Sequence, residues 1–153
     1  MDAVAPKPDT ARVVARLSTD YVLRVLRLLA DLQNGQLLSA IIVLGIVAAN
    51  TGYLNQTDDP TLLSAGPTGL PPDEARRPVS VLSLSASLGL PFETTRRHVN
   101  KLVIAGACQR VKGGVIVPAS ALDNPAFLQA AEQNLAYAAH FVRGLRRTGL
   151  RLD

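Results

Sequence analysis

The chain holds a single cysteine, Cys108, and only two histidines, His98 and His140. One cysteine excludes an internal disulfide. With two separated histidines it also excludes a thiolate zinc cluster and leaves no Cys-His nucleophile pair. A reducing, cytoplasmic setting follows as the expectation. A glycine-rich phosphate loop, a serine nucleophile elbow and a paired-carboxylate signature are likewise missing. Neither an enzyme nor a bound cofactor or metal is expected.

No apolar run approaches the roughly 20 residues that cross a bilayer. The longest, "LLSAIIVLGIVAA" at residues 37–49, predicts a buried helix and no membrane partner. The opening "MDAVAPKPDT" lacks the basic region and apolar core of a secretory signal. Acidic residues are outnumbered, 12 Asp+Glu against 16 Lys+Arg, which gives a net charge of +4 and a pI near 9.7. That balance favours an anionic partner, although the placement of charge matters more than its sum. With 153 residues and 48% hydrophobic content, one compact domain with helical extensions is expected.

Along residues 9–32, Arg12, Arg16, Asp20, Arg24, Arg27 and Asp31 recur three or four apart, one face of an α-helix. Val14, Leu17, Tyr21, Val25, Leu28 and Leu32 form the other face, and Val13, Val22, Leu26 and Leu29 widen it enough to want two partners. Asp9 is placed to cap the start. Ser18 and Thr19 could instead begin a second helix, and Asn34-Gly35 is the left-handed stop. Residues 36–50 are apolar nearly all round, as a central core helix should be. Residues 51–77, with four prolines and three glycines, predict a long exposed connection.

Beyond it the punctuation is dense. Ser80 caps a short helix to Leu88, with Val81, Leu82, Leu84 and Leu88 available to the core, and Gly89 ends it. Pro91 suits the first turn of the next helix, whose buried stripe is Thr95, Val99, Leu102 and Val103 and whose end is Gly106. "ACQRV", "KGG" and "VIVP" then read as a small β-hairpin. Asn124-Pro125 opens an Ala-rich helix to about Arg147, with Phe127, Ala131, Leu135, Ala138, Phe141, Val142 and Leu145 down one side. The expected units are an arm at 1–9, helices at 10–50, the connection at 51–77, a helix-turn-helix with hairpin at 78–121, and a terminal helix and tail at 122–153. The fold class is mostly α with a small β-hairpin wing.

With Thr95, Val99 and Leu102 inward, a 100° step per residue leaves Thr94, Arg97, His98 and Lys101 outward and Arg96 and Asn100 at the flanks. Arginine can bond guanine bidentately, asparagine adenine, and threonine a base edge or a thymine methyl. Glu93 is the one acid there, able to accept from cytosine or to favour the helix N-terminus. Arg110 and Lys112 on the hairpin can approach phosphate or the minor groove. Residues 93–112 hold these five cations (Arg96, Arg97, Lys101, Arg110, Lys112) against Glu93, so the segment carries the whole chain's net charge of +4.

Residues 76–118, "RRPVSVLSLSASLGLPFETTRRHVNKLVIAGACQRVKGGVIVP", resemble the winged helix-turn-helix of bacterial transcription regulators, the group that includes the MarR, GntR, IclR and DeoR families. The most similar part is "SLGLPFETTRRHVNKLVIAGAC". The resemblance implies a homodimer on double-stranded DNA, recognition helix 91–105 in the major groove and wing 107–118 on the backbone or minor groove. It implies DNA contacts at Thr94, Arg96, Arg97, His98 and Lys101, backbone contacts at Arg110 or Lys112, and dimerisation through the terminal helices. Asn100 joins them from its side-chain chemistry. The competing class is a protein-interaction scaffold that uses the same fold without DNA. A small apolar effector between the helices is a further expected partner. The arginines of the first helix read as a solvated face, Arg143, Arg146, Arg147 and Arg151 as helix-dipole partners, and Cys108 as a buried structural thiol.

Overall fold

The computed structural model describes residues 8–59 and 69–150. Residues 1–7 of the arm expected at 1–9, residues 60–68 of the connection and the tail from 151 lie outside the described residues, while Pro8 and Asp9, expected in the arm, belong to the first helix. The chain is mostly helical: α1 (Pro8–Leu32), α2 (Leu37–Thr51), α3 (Val81–Leu88), α4 (Phe92–Ile104), a hairpin of β1 (Gln109–Val111) and β2 (Gly114–Ile116), then α5 (Ala119–Leu122) and α6 (Pro125–Arg147).

α1 is one helix. Thr19 does not start a new one; its Oγ1 donates to the Ala15 carbonyl at 2.8 Å, a bond available within a continuous helix. Asp9 sits inside the first turn rather than at the cap, where its charge still complements the helix dipole. The chain reverses where expected, with positive φ at Asn34 and Gly35. α2 then runs through the core: Ile42 and Ile46 are fully buried against Leu84, Val99, Leu102, Cys108, Val115 and Val117. With the turn Gly52–Gln56, it is the one helical stretch among the described residues long and apolar enough to cross a membrane, at Leu37–Gln56. That exceeds the 13-residue run visible in the sequence, because the helical path continues past Ala49. Its apolar surface is covered on the α3–α4 side.

Asn50, expected to mark the end of α2, lies within it and is fully buried. Its Nδ2 donates to the Arg77 carbonyl at 2.7 Å and to the Val115 carbonyl at 3.3 Å, and its Oδ1 accepts from Val117 N–H at 2.9 Å. One side chain thereby satisfies three backbone groups on two separate segments. Val79 and Val115 pair antiparallel beside it, so a third extended segment flanks the hairpin. Gly114 makes that pairing feasible: its φ is +148°, and a Cβ there would collide with the Val79 backbone.

The described flanks of the connection, 51–59 and 69–77, depart from the exposed loop expected of them. Leu54 and Arg76 are buried, Tyr53 donates its hydroxyl to the Ala75 carbonyl, and Arg77 stacks over the Tyr53 ring at 3.8 Å. Asp73 Oδ1 accepts from Ala119 N–H at 2.8 Å, which fastens the far flank to the start of α5. Proline and glycine content signals the lack of regular structure but not the lack of anchoring.

α3 is capped as expected, Ser80 Oγ accepting from Ser83 N–H at 3.1 Å, and it stops at Gly89 with φ of 66°. Leu82, expected in the core, is 67% exposed, because Leu84 lies 200° around the helix from it and takes the inward position, with Ser85 beside it. α6 and α1 pack antiparallel: Tyr21 stacks on Phe141 with centroids 5.1 Å apart, Leu17 closes on Gly144, and Arg24 lies over Tyr137. A Cβ on Gly144 would stand 3.0 Å from Leu17, so glycine sets how closely these helices approach. The α6 packing face is therefore centred on Tyr137, Phe141 and Gly144. Ala131 and Leu135, expected in it, are exposed instead.

Asn50→Ala leaves Val117 N–H and the Arg77 carbonyl without their side-chain partner in a dry site. The expected loss is about 2–4 kcal/mol of unfolding free energy. Urea denaturation checks it, and a loss under about 0.5 kcal/mol would show that water or neighbours replace the amide.

Candidate nucleic-acid interface

α4 is divided by its own period. Thr95, Val99 and Leu102 are buried, and the Thr95 hydroxyl is satisfied by donating to the Pro91 carbonyl at 3.0 Å. Pro91 stands just before the helix, at its cap, rather than in the first turn. On the opposite face Thr94, Arg97, Lys101 and Ile104 follow one another at spacings of three and four. Arg97 and Lys101 are exposed and form no ion pair among the described residues.

Arg96 is different. Its Nε and Nη2 reach Glu93 Oε2 and Oε1 at 2.9 and 2.5 Å, a two-pronged pair. The hydrogen bond from Arg96 holds the Glu93 carboxyl below its usual range, and Glu93 in turn raises Arg96. The pair leaves little net charge at that flank. Its i, i+3 spacing was visible in the sequence. Asn100 and Arg110 are also joined, Arg110 Nη2 donating to Asn100 Oδ1 across the gap between helix and hairpin. This bond brings β1 to the C-terminal half of α4, so the hairpin cation and the helix amide form one polar group. Lys112 is exposed at the hairpin turn.

His98 does not stand on the outer face expected of it. It is half-buried, and its Nδ1 lies 3.2 Å from Ser39 Oγ at the start of α2; Ser39 Oγ also donates to Gln36 Oε1 at 3.3 Å. The imidazole sits 100° from Val99, close enough to the buried side for α2 to capture it. Its role here is to tie α4 to α2. No local signal could have shown this, because Ser39 is 59 residues away.

Two features lie outside this surface. The antiparallel α1–α6 pair exposes apolar residues away from its own seam: Val22 on α1, Leu128 and Leu135 on α6, with Ala11, Ala15 and Ala131 among them. The regularly spaced cations and acids of α1 from Arg16 onward turn away from that side. Where the pair meets α2 there is a cavity of about 180 Å³, lined by Leu29, Leu32, Val43, Val47 and Phe127, with Gln33 and Asn124 as polar groups.

Cys108 is buried, and burial pushes its thiol from 9.0 to about 11. Arg76 is also buried, with Nη2 donating to the Pro71 carbonyl at 3.0 Å and Nε 3.6 Å from Asp73; burial lowers its pKa. No cluster of metal-binding side chains occurs among the described residues. The raised thiol sets a sign. The folded state binds the proton more tightly than the unfolded one, so its stabilisation is complete below pH 9 and disappears as pH rises through about 11. Iodoacetamide at pH 8 should leave the folded protein unlabelled and label it once unfolded in urea; rapid labelling of folded protein would contradict a buried, inert thiol.

Comparison of this chain with protein-family models, with curated proteins and with solved structures finds no match in any of the three.

Proposed function

We propose that this protein is a sequence-specific regulator of transcription that binds double-stranded DNA as a homodimer, with α3–α4 and the hairpin acting as a winged helix-turn-helix. The supporting observation is the outer stripe of α4. Arg97 and Lys101 project unpaired from a helix whose other side is locked to α2, with Thr94 before them and the Asn100–Arg110 pair beside them. That is a rigid, cationic, hydrogen-bonding ridge of the width a major groove admits. Lys112, at the hairpin turn, is placed for phosphate.

The contact set sorts by chemistry. Arg97 carries a bidentate group for guanine, Asn100, whose Oδ1 already accepts from Arg110, offers its Nδ2 to adenine N7, Lys101 and Lys112 supply charge, and Thr94 serves either end of the list. Arg96 contributes less than composition implies, because Glu93 already occupies its guanidinium. His98 acts by position rather than contact. Homodimerisation draws on the apolar side of the α1–α6 pair. Packed against a second copy it forms four helices, and a two-fold then sets the two recognition helices about 34 Å apart, one turn of DNA. The cavity beneath α1 and α6 is the place for a small apolar effector, for which a thermal-shift screen of hydrophobes is the direct test.

Fluorescence anisotropy across a salt series tests the DNA contacts. Arg97→Ala and Lys101→Ala should each flatten the slope of log K against log salt by about 0.9 where the cation meets phosphate. Glu93→Gln should steepen it, by freeing Arg96. A folded wild type that binds no duplex at low salt would return the fold to the protein-scaffold class.

Leu135→Glu, with its side chain 70% exposed, should leave the fold intact and shift a dimer to monomer in analytical ultracentrifugation. A variant with unchanged mass would remove α6 from the dimer interface.

A further inference from the structure

Among the exposed large hydrophobics of the described residues, Ile104 is the most exposed, at 87%. Isolated apolar side chains on a surface are ordinary. Its company sets this one apart. Ile104 ends α4 on the same face as Thr94, Arg97 and Lys101, one turn beyond Lys101 and beside the Asn100–Arg110 pair. Nothing in the fold rewards isoleucine there: it packs against no core, it is β-branched in a helix, and a polar residue would serve both helix and solvent better.

Resting on the DNA reading proposed above, we infer that Ile104 is a specificity-determining residue that reads a thymine 5-methyl group in the major groove. The thymine methyl is the one apolar feature any base pair presents there, and it is the natural complement of an apolar side chain on an otherwise polar ridge. Set against cytosine N4–H or guanine O6, the same side chain would strip water from a polar group and return no hydrogen bond. Ile104 therefore selects for thymine and against G·C at its position. The rise of about 1.5 Å per residue puts it roughly 15 Å from Thr94 along the helix. That distance covers four to five base pairs at about 3.4 Å each, so the thymine stands at the far end of the half-site from the Thr94 contact. Lys101 and Arg97 fall between and hold the phosphates and bases that fix the register.

The experiment selects duplexes from a random-sequence pool with wild type and with Ile104→Ala, and then measures anisotropy on the best wild-type duplex. Deoxyuridine replaces each conserved thymine in turn. It removes only the methyl. One thymine should lose about four- to tenfold in affinity on that replacement, the contribution of one or two buried methyl-sized groups. Ile104→Ala should lose about as much on the thymine duplex and nothing further on the uracil one, and its selected sequences should relax at that position alone. Circular dichroism and thermal melting of Ile104→Ala should match wild type, as the side chain leaves no cavity. Unchanged base preference in Ile104→Ala, or losses from the two changes that simply add, overturns the inference while leaving DNA binding in place. A wild type that enriches no duplex from the pool removes the DNA reading and this inference together.

Discussion

Every placement in the candidate interface depends on one face of α2 staying buried as far as Asn50, and the Asn50 side chain is what makes that tolerable. A helix end in a dry core leaves backbone groups on its neighbours without water, and each unpaired group costs on the order of 1–3 kcal/mol. Asn50 offers both a donor and an acceptor at the one point where α2, the segment before α3 and strand β2 converge. An aliphatic residue would fill the space but strand those groups. An aspartate would bring a charge where only one of its partners is a donor. With the amide in place, α2 fixes the hairpin on one side and α4 on the other, so the hairpin and the helix hold a constant relation.

Charge on this protein is less available than its composition implies. The five cations of residues 93–112 are not equivalent: Arg96 is held by Glu93, Arg110 is directed onto Asn100, and Arg97, Lys101 and Lys112 project freely among the described residues. The exposed Glu93–Arg96 pair adds little to stability, since both partners are solvated and water screens their attraction. Its consequence is electrostatic. It narrows the unpaired positive charge of α4 to one stripe, that of Arg97 and Lys101.

Much of the fold was legible because its signals are local. Ser80, Gly89, Asn34-Gly35 and Asn124-Pro125 mark helix ends through hydrogen bonds and φ values that involve neighbours only, and the structure places helix ends there. The inward stripe of Thr95, Val99 and Leu102 was legible for the same reason. Failures arose where several residues satisfied the same rule. Leu82 and Leu84 are equally apolar, as are Leu135 and Phe141, and only the positions of α2 and α1 decide which of each pair is covered. The rest required contacts between distant segments. Ser39 with His98 and Asn50 with Val117 have no expression in a pattern along one helix.

The separation of roles on α4 gives the interface its physical character. Because 100° per residue alternates core and surface, the groups that hold the helix and the groups that project from it share a backbone but almost no contacts. Thr95, Val99 and Leu102 fix the axis, His98 fixes the rotation through Ser39, and the outer stripe is left free of structural duty. A ridge held this way loses little conformational entropy when it meets a complementary groove, since only the ends of Arg97 and Lys101 remain to be ordered. Under the proposed DNA reading, substitution in the stripe acts on affinity and base preference with little effect on folding. Substitution one residue away, at His98 or Val99, acts on the fold first.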